Sequence, residues 1–175
     1  MNAQQIFDKV ADHLAAQKRP SLTGPVKDAV CSYRGESNSR CAFGIFIPDD
    51  LYFNGMEGPS SNLFFQWALG DSLSQHSFWL ETQARFDQRP EVNRIKLRAV
   101  LLDLVEHSEL IRELQMVHDR SLKGLHETNE PAQSHFRDIW EYELARVARR
   151  YELLFVPAEF VRKFDDPDFK ISEVL

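Results

Sequence analysis

Residues 135–151 read HFRDIWEYELARVARRY. Phe136, Ile139/Trp140, Leu144, Val147 and Tyr151 recur every three or four positions, while Arg137, Glu141, Arg146, Arg149 and Arg150 fall largely off that stripe. An apolar period of 3.6 sustained over this length describes a helix with one face on a core and the other in water, and alternation of period two does not fit it. Working outward, Ile6, Phe7, Val10, Ala11 and Leu14 repeat the pattern between Asn2 and Gln17, until Pro20 and Gly24-Pro25 stop it. Beyond Pro90, Val92, Ile95, Ala99, Leu102 and Val105/Glu106 keep helical spacing, and Leu110, Leu114, Val117 and Leu122 continue it. Ser108 followed by Glu109 marks a candidate start for a second helix there, so the segment is read as one long helix or two. Leu63 to Phe86, broken by Gly70-Asp71, is read as two short helices.

β-favouring residues are concentrated earlier. Val30–Arg34 and Arg40–Ile47 flank a polar Gly-Glu-Ser-Asn link at 35–38, which predicts a β-hairpin, and Pro48–Tyr52 is expected to form one helical turn. Gly124 to Ser134 reads as a polar loop, and the end of the chain carries Pro157, Pro167 and the acids Asp165, Asp166 and Asp168. The predicted fold is α+β and predominantly α-helical, with helices packed around one small β-hairpin. It forms a single globular domain over 1–175, with 165–175 as a candidate mobile tail.

Composition narrows the class. A chain of 175 residues buries roughly 70% of its unfolded surface without disulfide or metal staples. Its 13 Phe and 3 Trp, with a mean hydropathy of -0.41, fit neither disorder nor a membrane protein. Lys plus Arg is 21 against 27 Asp plus Glu, a net charge of -6. The first 89 residues hold 8 basic and 10 acidic side chains, so neither half is a basic module. Nucleic-acid binding draws on a basic excess that releases counterions, so nucleic acid is disfavoured and a basic protein surface is the better match. Two cysteines cannot build a secreted disulfide framework, the opening MNAQQIFDKVADHL lacks the basic-then-apolar order of a signal peptide, and no apolar run spans a bilayer. The expected compartment is the cytoplasm, with no membrane partner.

The string Cys31-x-Tyr33-Arg34-Gly35, then Cys41-Ala42-x-Gly44-x-x-Ile47-Pro48-Asp49, then Tyr52 and Met56-Glu57-Gly58, is preceded by Gln5-Ile6-Phe7-Asp8-x-Val10 and followed by Leu114-Gln115-x-x-His118-Asp119. This pattern resembles a group of small uncharacterised proteins of bacteriophages, prophages and other mobile elements, and residues 4–58 carry most of the likeness. The resemblance implies a context, that of accessory proteins that bind host or defence machinery, and no activity residue by residue.

Candidate chemistry gathers at three places. Cys31 and Cys41 are near neighbours across the predicted hairpin and are read first as packed thiols, with a redox-sensitive pair or two zinc ligands as alternatives. A zinc site needs two more ligands, such as His118 or His107, and no spacing rule supplies them, so neither metal nor cofactor is expected. His118-Asp119 beside a cysteine suggests a nucleophile and its base, but adjacent helical residues point about 100° apart, which argues against Asp119 orienting His118. Asp49, Asp50 and Glu57 lack calcium-loop spacing, and Arg34 is expected to pair with one of them, locking hairpin to turn; Cys31, Tyr33, Arg34, Cys41, Pro48 and Asp49 form a structural motif. The third place is the aromatic stretch Phe64, Phe65, Trp67, Phe78 and Trp79, read either as core or as an exposed anchor for a partner or a second copy of the chain.

The preferred function is a non-enzymatic protein-binding factor of a phage or mobile element. In its sharpest form it is an anti-CRISPR-like inhibitor that occludes a host or defence protein through those five aromatics. A homodimer is a further candidate state. The alternatives are a small thiol- or metal-dependent hydrolase built on Cys31, Cys41 and His118, and a nucleic-acid-binding regulator using Arg137, Arg146, Arg149 and Arg150.

Overall fold

The computed structural model describes residues 1–24, 30–71, 77–122 and 133–170, with the backbone alone at 30, 77–79 and 82. Seven α-helices make up most of it: α1 (Ala3–Gln17), α2 (Ser61–Leu69), α3 (Ser77–Asp87), α4 (Glu91–Leu102), α5 (Ser108–Arg120), α6 (Gln133–Arg150) and α7 (Pro157–Asp165). Two short strands, β1 (Leu22–Thr23) and β2 (Val30–Cys31), pair antiparallel, Leu22 opposite Cys31. The chain is therefore predominantly α-helical with a small β element, as its periodicity predicts.

Local chemistry explains the helix ends. Asn2 Oδ1 accepts the Gln5 N–H at 2.9 Å and Gln5 Oε1 accepts the Asn2 N–H at 2.9 Å, a reciprocal cap on the first turn of α1. Lys18 closes that helix in the left-handed region at φ 58°. The stretch after Pro90 resolves into two helices, because the turn at Val105–His107 interrupts it. Pro157 opens α7 at its first turn, where a missing N–H costs nothing. Phe160 and Phe164 are buried, α7 runs to Asp165, and Lys163 stands 5.6 Å from the Phe169 ring. Residues 171–175 lie outside the described residues.

α1 packs against α5, α6 and α7, α5 packs on α6, and α2 lies on α4 and α5. Phe136, Trp140, Phe164 and Phe160 line one side of the core, each ring within about 6.2 Å of the next. Tyr33, Phe43, Phe64 and Phe65 line the other, 5.1 to 5.9 Å apart. The acid of α5, Glu113, is 5% exposed at its side chain and meets Arg150 at 2.9 Å and Arg146 at 3.1 Å across the α5/α6 seam.

Two expectations change. The hairpin exists, but it joins 22–23 to 30–31; Arg34 and Arg40 share only an isolated bridge, and Gly44–Phe46 is a 3-10 turn. The reason is burial: Cys41 to Gly44, Phe46 and Ile47 are all inside, so this segment has no solvent face to alternate with. Its N–H groups find local partners instead of a ladder: Phe43 gives to Gln115 Oε1 at 3.0 Å and Gly44 to Cys41 Sγ at 3.3 Å, while Ile45, Phe46 and Ile47 give to the Cys41, Phe43 and Gly44 carbonyls. Gly44 is required there, since a Cβ would sit 2.2 Å from the Tyr33 carbonyl oxygen. The second change concerns α4. Leu97 and Leu101 face the core, and the regularly spaced Val92, Ile95, Ala99 and Leu102 face water.

Candidate functional site

The irregular segment 32–60 brings Cys31 against α5, whose residues Gln115, His118 and Asp119 meet it. Gln115 Nε2 donates to Cys31 Sγ at 3.3 Å and to Asp119 Oδ1 at 2.7 Å, and His118 Nδ1 lies 3.4 Å from the same sulfur and 3.1 Å from the same carboxylate. Cys41 is wholly buried beside Cys31, and both are free thiols. The hydrolase alternative rests on Cys31, Cys41 and His118, and these three do converge. The partners they gain, Gln115 and Asp119, lie in a helix far along the chain. Asp119 also reaches His118 despite being its neighbour, because Nδ1 is the ring nitrogen nearer the backbone; a divergence of 100° does not keep that atom out of reach.

Protonation decides what this cluster can do. The Ser21 N–H donates to His118 Nε2 at 2.8 Å, so Nε2 holds a lone pair and the proton of the neutral ring sits on Nδ1. The ring is fully buried and lies at 19° to Trp140. The Nδ1–H of that tautomer points at Asp119 and Cys31. In that state it cannot accept the thiol proton, as a nucleophile's base must. Nor does Nδ1 offer a lone pair to a metal, although Cys31, His118 and Asp119 place one ligand atom each within 4.8 Å of one another. A hydrogen bond with Cys41, burial and the nearby Asp119 charge push the Cys31 thiol well above its ordinary range. Burial alone would raise Asp119, but hydrogen bonds from His118, Cys31 and Gln115 hold its carboxyl below the usual value. The arrangement is an ionised carboxylate gathering three donors, which ties the irregular segment to α5.

The remaining motif residues form a second tie. The Tyr33 and Arg34 N–H groups donate to the two oxygens of Glu57 at 2.9 and 3.0 Å, and Tyr52 O–H adds a bond of 2.8 Å. Arg34 Nη2 meets Asp49 at 3.0 Å, its guanidinium also gives to the Gly44 and Ile47 carbonyls, and Arg40 reaches the same Asp49 at 2.7 Å. Pro48 accepts from the Leu51 and Tyr52 N–H groups, closing the turn that holds Asp49 in place.

The aromatic set is divided. Phe64 is fully buried and Phe65 is 2% exposed, so the core takes both, and Trp67 is partly exposed with its ring 5.0 Å from Phe86. The side chains of Phe78 and Trp79 lie outside the described residues. Of the four arginines suggested for nucleic acid, Arg137 meets Asp138 and Asp165, Arg146 meets Glu113 and Glu143, and Arg150 meets Glu113, which leaves Arg149 as the one with no such pair among the described residues.

A cleft of about 330 Å³ runs between α1 and α7. Its floor is Phe7, Ala11, Phe155 and Phe160, and its lip carries Leu154, 82% exposed, and Val156, 58% exposed. Asp8, Asp12 and Glu159 rim it against one cation, Lys163, which bonds Asp12 at 2.8 Å and Glu159 at 3.2 Å. Gln4 holds the Leu154 peptide through both its amide atoms, fixing the lip on α1. No sequence signal announces this cleft, since its two walls come from opposite ends of the chain. Comparison with protein-family models, curated proteins and solved structures finds no match for the chain.

Proposed function

We propose that the chain is a non-enzymatic protein-binding factor and that the α1/α7 cleft is its contact site. The observation that carries this reading is an apolar floor and lip under an acidic rim. Leu154 and Val156 stay largely in water in the isolated chain, so covering them releases ordered water at about 25 cal/mol per Å² of apolar surface. Three carboxylates against one ammonium select a partner segment that carries Lys or Arg beside a bulky apolar side chain. The net charge of -6 steers the encounter in the same direction. A host or defence protein as the target rests on the likeness of residues 4–58 to proteins of mobile elements.

Selection from a random peptide display library on the immobilised chain tests the reading and requires no named partner. The expected outcome is enrichment of peptides pairing Lys or Arg with Leu, Phe or Trp, with affinity reduced at least about tenfold by Leu154→Asp or by Asp8→Lys. No enriched class, or an enriched class indifferent to both substitutions, would overturn it.

A further inference from the structure

The acidic rim of the α1/α7 cleft is partly occupied from within. Lys163, on α7, reaches Asp12 on α1 at 2.8 Å and Glu159 on its own helix at 3.2 Å, so one ammonium joins the two walls. That side chain is 22% exposed, and its ammonium lies 5.6 Å from the centre of the Phe169 ring. Asp8, the third carboxylate of the rim, takes a neutral amide N–H from Gln4 Nε2 at 2.8 Å and meets no cation among the described residues. Two rim carboxylates therefore hold a cation that the chain supplies itself, and one does not.

The position of Lys163 has a consequence for binding. Asp8 and Asp12 stand one turn apart on the same face of α1, so a basic segment entering the cleft meets one carboxylate without a counter-charge and finds the next already paired. The ammonium of Lys163 does there what a Lys or Arg of the partner would do, and the two compete for one place. We propose that Lys163 is an autoinhibitory clasp, which a partner displaces with a cation of its own. The proposal rests on the cleft being the contact site and adds what regulates it. Exchange of one ammonium for another keeps the number of ion pairs constant, so the drive comes from covering Leu154 and Val156 and from the pairing of Asp8. A site that is competent only while its clasp is open binds with an affinity reduced by the open fraction, so removal of the clasp raises affinity. An ion pair that only holds the walls in place has the opposite sign: its loss loosens the cleft and weakens binding.

Fluorescence anisotropy with a labelled peptide of alternating Lys and Leu tests the clasp on the full chain, with circular dichroism melts to show that each variant is folded. Lys163→Gln, and independently Lys163→Met, should bind this peptide at least about tenfold more tightly than the native chain, with a steeper loss as salt rises. Lys163→Arg keeps the clasp and should bind as the native chain does. Lys96→Gln makes the same change in net charge at an exposed position of α4 and should also leave the affinity as it is. Binding that is unchanged or weaker in Lys163→Gln and Lys163→Met, an equal gain in Lys96→Gln, or failure of both Lys163 variants to fold overturns the clasp. The cleft itself survives those outcomes as long as Leu154→Asp weakens the native interaction. A peptide that binds Leu154→Asp as well as the native chain, or that binds no form of the protein, overturns cleft and clasp together.

Discussion

Cys31 illustrates how one hydrogen bond changes the chemistry of a residue set. Cysteine, histidine and aspartate side by side invite a catalytic reading, yet the Ser21 N–H fixes the His118 tautomer and denies Cys31 its base. Alkylation of the native chain by iodoacetamide, followed by intact mass, should therefore be slow at pH 7 to 8, for Cys41 because it is wholly buried and for Cys31 because its thiol is pushed well above its ordinary range, while the urea-unfolded chain reacts at once. Rapid labelling of Cys31 at neutral pH would favour the thiol-enzyme alternative instead. His13 gives a second test. Burial outweighs the bond from its Nε2–H to the Arg40 carbonyl, at 2.8 Å, and drives its pKa down to about 4. A folded-state value below the unfolded one means that the unfolded chain takes the proton first as pH falls, so stability is complete above about 6.5 and is lost toward 4. The loss approaches about 3 kcal/mol. Urea midpoints at pH 7 and 4.5 should differ clearly in the native protein and much less in His13→Gln. Gly44→Ala should cost about 3 kcal/mol or more in the same assay, because the added carbon meets backbone that cannot give way. None of these three outcomes is visible in composition or spacing; each depends on what the fold brings against the side chain.

At the scale of elements, amphipathic periodicity located α1, α5 and α6 to within a few residues, because each has one apolar stripe and one core to face. The same rule placed α4 as a helix and misjudged which way it turns. Val92, Ile95, Ala99 and Leu102 are as regular as Leu97 and Leu101 are buried, and sequence spacing has no means of ranking two stripes on one helix. α7 escaped notice because nine residues opened by a proline give too little pattern. The predicted hairpin moved for a related reason: a largely buried segment such as 41–47 looks like a strand by composition, and its N–H groups are taken by Gln115, Cys41 Sγ and the carbonyls of its own turns. The seam between α5 and α6 supports a further prediction. Glu113→Ala should cost about 2 kcal/mol, since it removes the buried carboxylate that joins Arg150 and Arg146 across the seam and leaves Arg146 with Glu143 alone, whereas Arg150→Ala, on a side chain 56% exposed, should cost less than about 1 kcal/mol. Chemical denaturation monitored by tryptophan fluorescence distinguishes the two.

For the whole molecule, the net charge of -6 is distributed so that most basic side chains on α6 are already engaged by carboxylates, while the α1/α7 cleft keeps an acidic excess. Association with a basic, apolar peptide should accordingly weaken as ionic strength rises from about 0.05 to 0.5 M, measured by fluorescence anisotropy, and retain the part contributed by Leu154 and Val156. The amino-acid sequence by itself determined the helical class, most helix positions and the acidic, non-spanning character, because these follow from local periodicity and summed charge. Tertiary structure alone decided that Phe64 and Phe65 fill the core, that residues 31, 115, 118 and 119 form one network, that 4–12 and 154–163 wall one cleft, and that α4 keeps a bare stripe. Those outcomes depend on distances between segments remote in the chain, and a pattern of neighbours along a sequence contains no such distances.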